Sequence, residues 1–210
     1  MSDADFASPA SAAAQEATVV ARKRPKPGER RVQILQALAT MLEQPGAERI
    51  TTAALAARLE VSEAALYRHF ASKAQMFEGL IEFIEQSVFT LVNHIGEREP
   101  AGNAQAAKTV AMLLQFAEKN PGMTRVMVGD ALVFENERLQ QRMNQFFDKI
   151  ESSLKQCMRG NGDAATPTVD AQVRASVLTA FIVGRLQRFA RSGFKRAPSE
   201  HLEASLARML

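Results

Sequence analysis

From residue 29 onward the apolar residues of this chain recur at three- and four-residue steps, and no stretch alternates apolar with polar side chains. That period puts one side chain per turn on one face, so the chain must build amphipathic helices packed on one another, an all-α fold. Ile34, Leu35, Leu38, Met41 and Leu42 make the first stripe, and Pro45-Gly46 ends it. Leu55, Ala56 and Leu59 make a short second helix behind Thr51-Thr52. Ser62 can cap a third, with Leu66 and Phe70 pointing inward. Ser72-Lys73-Ala74-Gln75 has the form of a capping box ahead of a long helix carrying Phe77, Leu80, Ile81, Ile84, Val88, Leu91 and Ile95.

The same reading continues to about Ser192. Gly102-Asn103 opens a helix that runs through Phe116, and Asn120-Pro121 supplies an N-cap with proline at the first helical position. Leu139, Met143, Phe146, Phe147, Ile150 and Leu154 form a further stripe, followed by a polar loop at residues 160–168. The helix expected from about Val169 to Ser192 differs from the others. Val173, Val177, Leu178, Phe181, Ile182, Leu186 and Phe189 spread over more than one face, so it must bury two sides. Ala180-x-x-x-Gly184 lets another backbone come close. Val177, Ala180, Phe181 and Gly184 therefore mark a homodimer seam, the alternative being a central helix within one monomer.

Charge total says little and charge position says more. The 210 residues carry a net charge of only +3. Residues 22–73, however, hold ten Lys or Arg against five Glu, so nearly all the positive excess lies in one quarter of the chain. Residues 1–28 are expected to form a disordered tail ending in Arg22-Lys23-Arg24-Pro25-Lys26. Residues 29–73 form a compact DNA-binding unit, and residues 74–210 a helical dimerisation and partner-binding domain.

Within 29–73, three short helices follow one another, and the step Leu59-Glu60-Val61-Ser62 between the second and third is that of a helix-turn-helix. In such a motif the later helix enters the major groove. With Leu66 and Phe70 inward, Ala64, Ala65, Tyr67 and Arg68 face the other way. Alanine can approach thymine methyl groups, and arginine can pair with guanine or phosphate. Tyr67, His69 and Lys73 can donate to phosphate oxygens, as can backbone amides at the helix start beside Ser62. Thr51 and Thr52 stand where a hydroxyl either caps a helix or meets phosphate. Arg22, Lys23 and Arg24 suit a basic arm along the backbone or in the minor groove. Each has a plainer alternative: Tyr67 and His69 as packing residues, Thr51 as a cap only, the arm as a solvated tail. Their co-occurrence on one basic surface is the argument for DNA.

Other chemistry finds little footing. His69, His94 and His201 lack neighbours at metal-ligand spacing, and no phosphate-binding glycine loop is present. The single cysteine, Cys157, lies on an apolar helical face as a buried inert thiol and has no partner for a disulfide. No cofactor and no enzymatic activity are expected. The longest apolar run, residues 177–183, is too short for a membrane segment, and a soluble cytoplasmic protein is expected.

The residues Ile50-Thr51-Thr52 and Ala64-x-Leu66-Tyr67-Arg68-His69-Phe70-x-Ser72-Lys73 resemble the TetR family of transcriptional regulators, whose Y-x-H-F-x-S-K ending is a specific signature. The likeness continues through residues 61–85, 120–132, 134–151 and 188–198, well past the DNA-binding helices that such regulators ordinarily share. There it resembles the branch of the family that blocks division over the chromosome. The resemblance implies a nucleoid-associated homodimer on palindromic DNA that engages the tubulin-like division protein FtsZ and disrupts its polymers. It also implies a partner surface containing Phe83, Lys119 and Asn120. On the long helix Phe83 lies about a quarter-turn from the buried stripe, which suits either a partner contact or packing on a neighbour. Leu91 and Gln115 depart from the Arg and Gly of that branch. The remaining alternative is a ligand-responsive repressor, whose inducer would need an apolar pocket lined by residues such as Phe116, Phe146, Phe147 and Phe181.

Overall fold

The computed structural model describes residues 28–44, 50–159 and 167–210, and among them the chain is helical with no strand. The helices are α1 (Glu29–Leu42), α2 (Thr52–Arg58), α3 (Glu63–Tyr67), α4 (Lys73–Arg98), α5 (Asn103–Lys119), α6 (Pro121–Met127), α7 (Glu137–Met158), α8 (Pro167–Arg191) and α9 (Leu202–Met209). A 3-10 turn at Asp130–Leu132 precedes α7. Arg22, Lys23, Arg24 and Pro45-Gly46 lie outside the described residues, as does most of the loop expected at 160–168.

Side-chain caps fix the starts of α2 and α3, which are too short to hold themselves. Thr51 Oγ1 accepts from the Ala54 amide at 3.1 Å and Ser62 Oγ from Ala65 at 3.3 Å; the long α4 is capped likewise, Ser72 Oγ accepting from Gln75 at 3.2 Å. The capping box is displaced by one residue: Gln75 Oε1 accepts from the amide of Ala71, at 2.9 Å, rather than from Ser72. α3 is only five residues long, so Phe70 is buried just beyond its end rather than on its face. Asn120 does not cap α6 with its side chain. Its Nδ2 donates to the Phe116 carbonyl at 2.7 Å and so closes α5 instead. α8 starts two residues before the expected Val169, at Pro167, a residue suited to a first helical position.

One hydrophobic cluster runs from Ile34, Leu55, Leu66 and Phe70 through Phe77, Ile84 and Leu113 to Phe146, Ile150 and Ile182. The core is therefore continuous across residue 73. α4 carries it: its 26 residues span about 39 Å. α4 begins at the three-helix unit, α5 returns beside it, α7 runs parallel to α4, and α8 returns along α7. Arg138–Glu78 and Arg142–Glu85 (2.5 Å) tie α7 to α4. At the near end α6 presses on α1 so closely that a Cβ at Gly122 would fall 1.9 Å from the Ala39 carbonyl oxygen.

Candidate nucleic-acid interface

The three-helix unit positions its residues through a small polar network. Thr52, the first residue of α2, donates from Oγ1 to Glu63 Oε2 at 2.5 Å and accepts from Tyr67 Oη at 3.5 Å. That bridge joins the two helices of the motif across the turn, where Glu60 takes a left-handed φ of 53°. Strain of this kind in a residue other than glycine costs about 1 kcal/mol and persists because the packed helices on either side over-determine it. From the α1 side, Arg31 donates to the His69 carbonyl at 2.5 Å and lies 4.2 Å over the Phe70 ring. The end of α3 is thus gripped by α1 through a residue that local sequence patterning left unremarked.

On this frame Ala64, Tyr67 and Arg68 are exposed, Tyr67 at 45%, whereas Ala65 and His69 are half-buried. The outward face is therefore narrower than the helical wheel implied, because α3 stops at Tyr67 and its partner α2 covers one edge. Thr51 is exposed, with its hydroxyl committed to the cap. The positive excess is also redistributed. Among the described residues of this unit Arg30, Arg31, Arg58, Arg68 and Lys73 stand against Glu29, Glu43, Glu60 and Glu63, so most of the excess belongs to Arg22–Lys26, outside the described residues. Lys73, at the first turn of α4, meets Glu135 Oε1 at 2.5 Å, with side chains 27% and 11% exposed. Glu135 is 62 positions away, and no local pattern could have signalled it.

Two further surfaces lie on the body. On α4, Phe83 and Leu91 are 46% and 41% exposed beside the buried Leu80, Ile84 and Val88. α4 ends at Arg98 and α5 starts at Asn103, so Lys119, sixteen residues into the return, comes back level with Glu82 and Phe83. Lys119 is exposed and Asn120 half-buried, as is the neighbouring Pro121; Gln115 is exposed. On α8, the two apolar faces separate cleanly. Leu178, Ile182, Leu186 and Phe189 are buried, whereas Val169, Val173 and Val177 are 59%, 56% and 47% exposed. Ala180 and Gly184 extend that exposed stripe, nothing lies within 4 Å of a Cβ built on Gly184, and half-buried Phe181 is capped by Arg185 at 4.9 Å.

The aromatic residues considered for an inducer pocket are spent on packing. Phe146 meets Phe89 and Phe147 edge-on at 5.6 and 5.1 Å. A cleft of about 570 Å³ between α4, α5 and α7 opens to solvent and is lined by Asn93, Glu97, Gln105, Gln156 and Cys157 among others, not by those rings. Burial pushes the Cys157 thiol above its usual range, and its Sγ donates to the Leu154 carbonyl at 3.1 Å. Among the described residues no group of three His, Cys, Asp or Glu could hold a metal, and no helix is long and apolar enough to cross a membrane.

Comparison with known proteins matches the two parts of the chain separately. Residues 34–80 match the family of bacterial regulatory proteins described as the tetR family, and residues 104–209 match the SlmA-like family described as tetracyclin repressor-like, C-terminal domain. The nucleoid occlusion factor SlmA of Idiomarina loihiensis is 51% identical over 177 residues, covering 83% of this chain and 90% of that one. That of Vibrio cholerae is 50% identical over 177 residues, again covering 83% and 90%. Among solved structures, a TetR transcriptional regulator from Legionella pneumophila superposes with a TM-score of 0.69 at 14% identity, over 90% of this chain and 100% of that one. The fatty acid degradation regulator FadR of Bacillus halodurans gives 0.71 at 12% identity, over 90% and 97%. At such identities the last two show the shared fold.

Proposed function

We propose a mechanism from the premise that the chain belongs to the TetR family, on its SlmA branch, and has the DNA-binding nucleoid occlusion role of that branch. The observation that carries this role is the half-identity to SlmA proteins across the body as well as the reader, since regulators of this fold with other roles share only the architecture.

In the mechanism two copies join along Val169, Val173, Val177, Ala180 and Gly184 of α8. Three exposed valines at four-residue steps, followed by two small residues, suit a close helix–helix seam. The paired readers then face successive half-sites of a palindrome. Ala64, Ala65 and Arg68 meet base edges, with Tyr67, Thr52 and Lys73 on the flanking phosphates and Arg22, Lys23 and Arg24 as an arm along the duplex. His69 supports the frame through its backbone more than through its ring. The DNA-bound dimer engages FtsZ through Phe83, Lys119 and Asn120 and disrupts its polymers, which stops septum assembly over the chromosome. Support for this surface is the exposure of Phe83 at the level where α5 ends, with exposed Leu91 about two turns further along α4. Leu91 makes the patch more apolar than an arginine would.

The test is light scattering by FtsZ polymers with the protein added, with and without chromosomal DNA fragments that it binds. Polymers shorten only in the DNA-bound case. Phe83→Ala keeps the fold and DNA affinity and loses the effect. Polymers indifferent to the DNA-bound protein would remove FtsZ as the partner.

A further inference from the structure

We infer that Glu135 is a positioning residue for DNA binding: its carboxylate holds, on Lys73, the seat a DNA phosphate would take, and the duplex must displace it. This rests on the reading of Lys73 as a phosphate contact.

Lys73 is the first residue of α4, where unpaired backbone amides and the helix dipole already favour an anion. The anion found there is Glu135, 2.5 Å from Nζ and largely shielded, with its side chain 11% exposed. Two ion pairs tie α7 itself to α4, and both run the other way, with Glu78 and Glu85 on α4 facing Arg138 and Arg142 on α7. Of these three pairs among the described residues, the one nearest the reader alone has its cation on α4, and that cation belongs to the segment proposed to face DNA.

A phosphate approaching Lys73 meets a carboxylate already bound to it, and two anions at one ammonium repel. Docking therefore exchanges one ion pair for another, and DNA gains only the difference. Glu135 has room to leave. It follows Val133 and Phe134, which are 67% and 68% exposed, and its backbone is held by a single turn bond, from its amide to the Leu132 carbonyl at 3.0 Å. Because the exchange involves backbone phosphate only, it weakens binding to every duplex alike and limits attachment to DNA of arbitrary sequence.

The experiment uses the full chain, a short duplex of arbitrary sequence, and affinities measured across a salt series. Glu135→Gln tightens binding by about two- to fivefold, the range carried by a partly exposed ion pair. Lys73→Gln weakens binding and makes the logarithmic salt slope shallower by about one. On the Lys73→Gln background, Glu135→Gln has no further effect, which is the readout that a general loss of negative charge would not give. Equal gains on both backgrounds, or no gain on either, would overturn the proposal. A Lys73→Gln slope equal to that of the unaltered protein would instead remove the phosphate reading of Lys73, and the proposal with it. Glu135→Ala, with the helical content checked by circular dichroism, serves if the glutamine variant folds poorly.

Discussion

At the scale of single residues, hydroxyls that look alike in sequence separate by what they bind. Thr51 and Ser62 spend their oxygens on helix caps, whereas Thr52 and Tyr67 form a bridge at the surface. Thr51→Ala should therefore lower stability by about 1 kcal/mol, read as a lower thermal midpoint. Tyr67→Phe should leave the midpoint nearly unchanged and weaken DNA binding by about fivefold, the worth of one hydrogen bond. Cys157 gives a pH prediction. Its thiol is raised by burial from a starting value of 9.0, so the unfolded chain loses that proton first as pH rises. The neutral thiol favours the folded state below that value, and stability falls as pH climbs through and beyond it. Unfolding by denaturant at pH 8 and pH 10 should show the loss, and Cys157→Ala should reduce it. Of these residues, the caps were legible because a cap is a local event three residues long. The carboxylate on Lys73 was not, because Glu135 comes from the segment before α7, 62 positions away.

At the scale of elements, the sequence reading located α1 to α8 but missed α9 (Leu202–Met209), and it did not show how tightly two of the helices meet. α6 was legible as a short helix behind Pro121, yet its reason for carrying Gly122 is the Ala39 carbonyl of α1. A methyl group there collides with backbone, which cannot rotate away as a side chain can. Gly122→Ala should cost about 1–3 kcal/mol and should also weaken DNA binding, because α1 grips the end of α3 through Arg31. Thermal melts and binding curves of one preparation would check both effects; an unchanged midpoint would mean that α6 shifts without resistance. The same element scale explains why α3 ended early. A wheel assumes the helix continues, but α3 turns away after Tyr67 so that Phe70 can enter the core beside α1.

For the whole molecule, the core is continuous and the apolar stripe of α8 lies exposed beside it, a face suited to a second copy. Val177→Glu should convert the proposed dimer to monomer in sedimentation at micromolar concentration, since burying an unpaired carboxylate in an apolar seam is strongly unfavourable. It should also abolish tight binding to a palindrome while leaving each reader folded. The all-helical class, the helix-turn-helix and the two-faced character of α8 were decided by sequence alone. Each rests on spacing along one helix or one turn, where neighbours in sequence are neighbours in space. Tertiary structure alone decided that Glu135 sits on Lys73, that Arg31 holds the His69 carbonyl, and that Phe146 packs edge-on against Phe89. Those facts depend on residues tens of positions apart meeting across helices, and the chain sets such distances only once its core has closed.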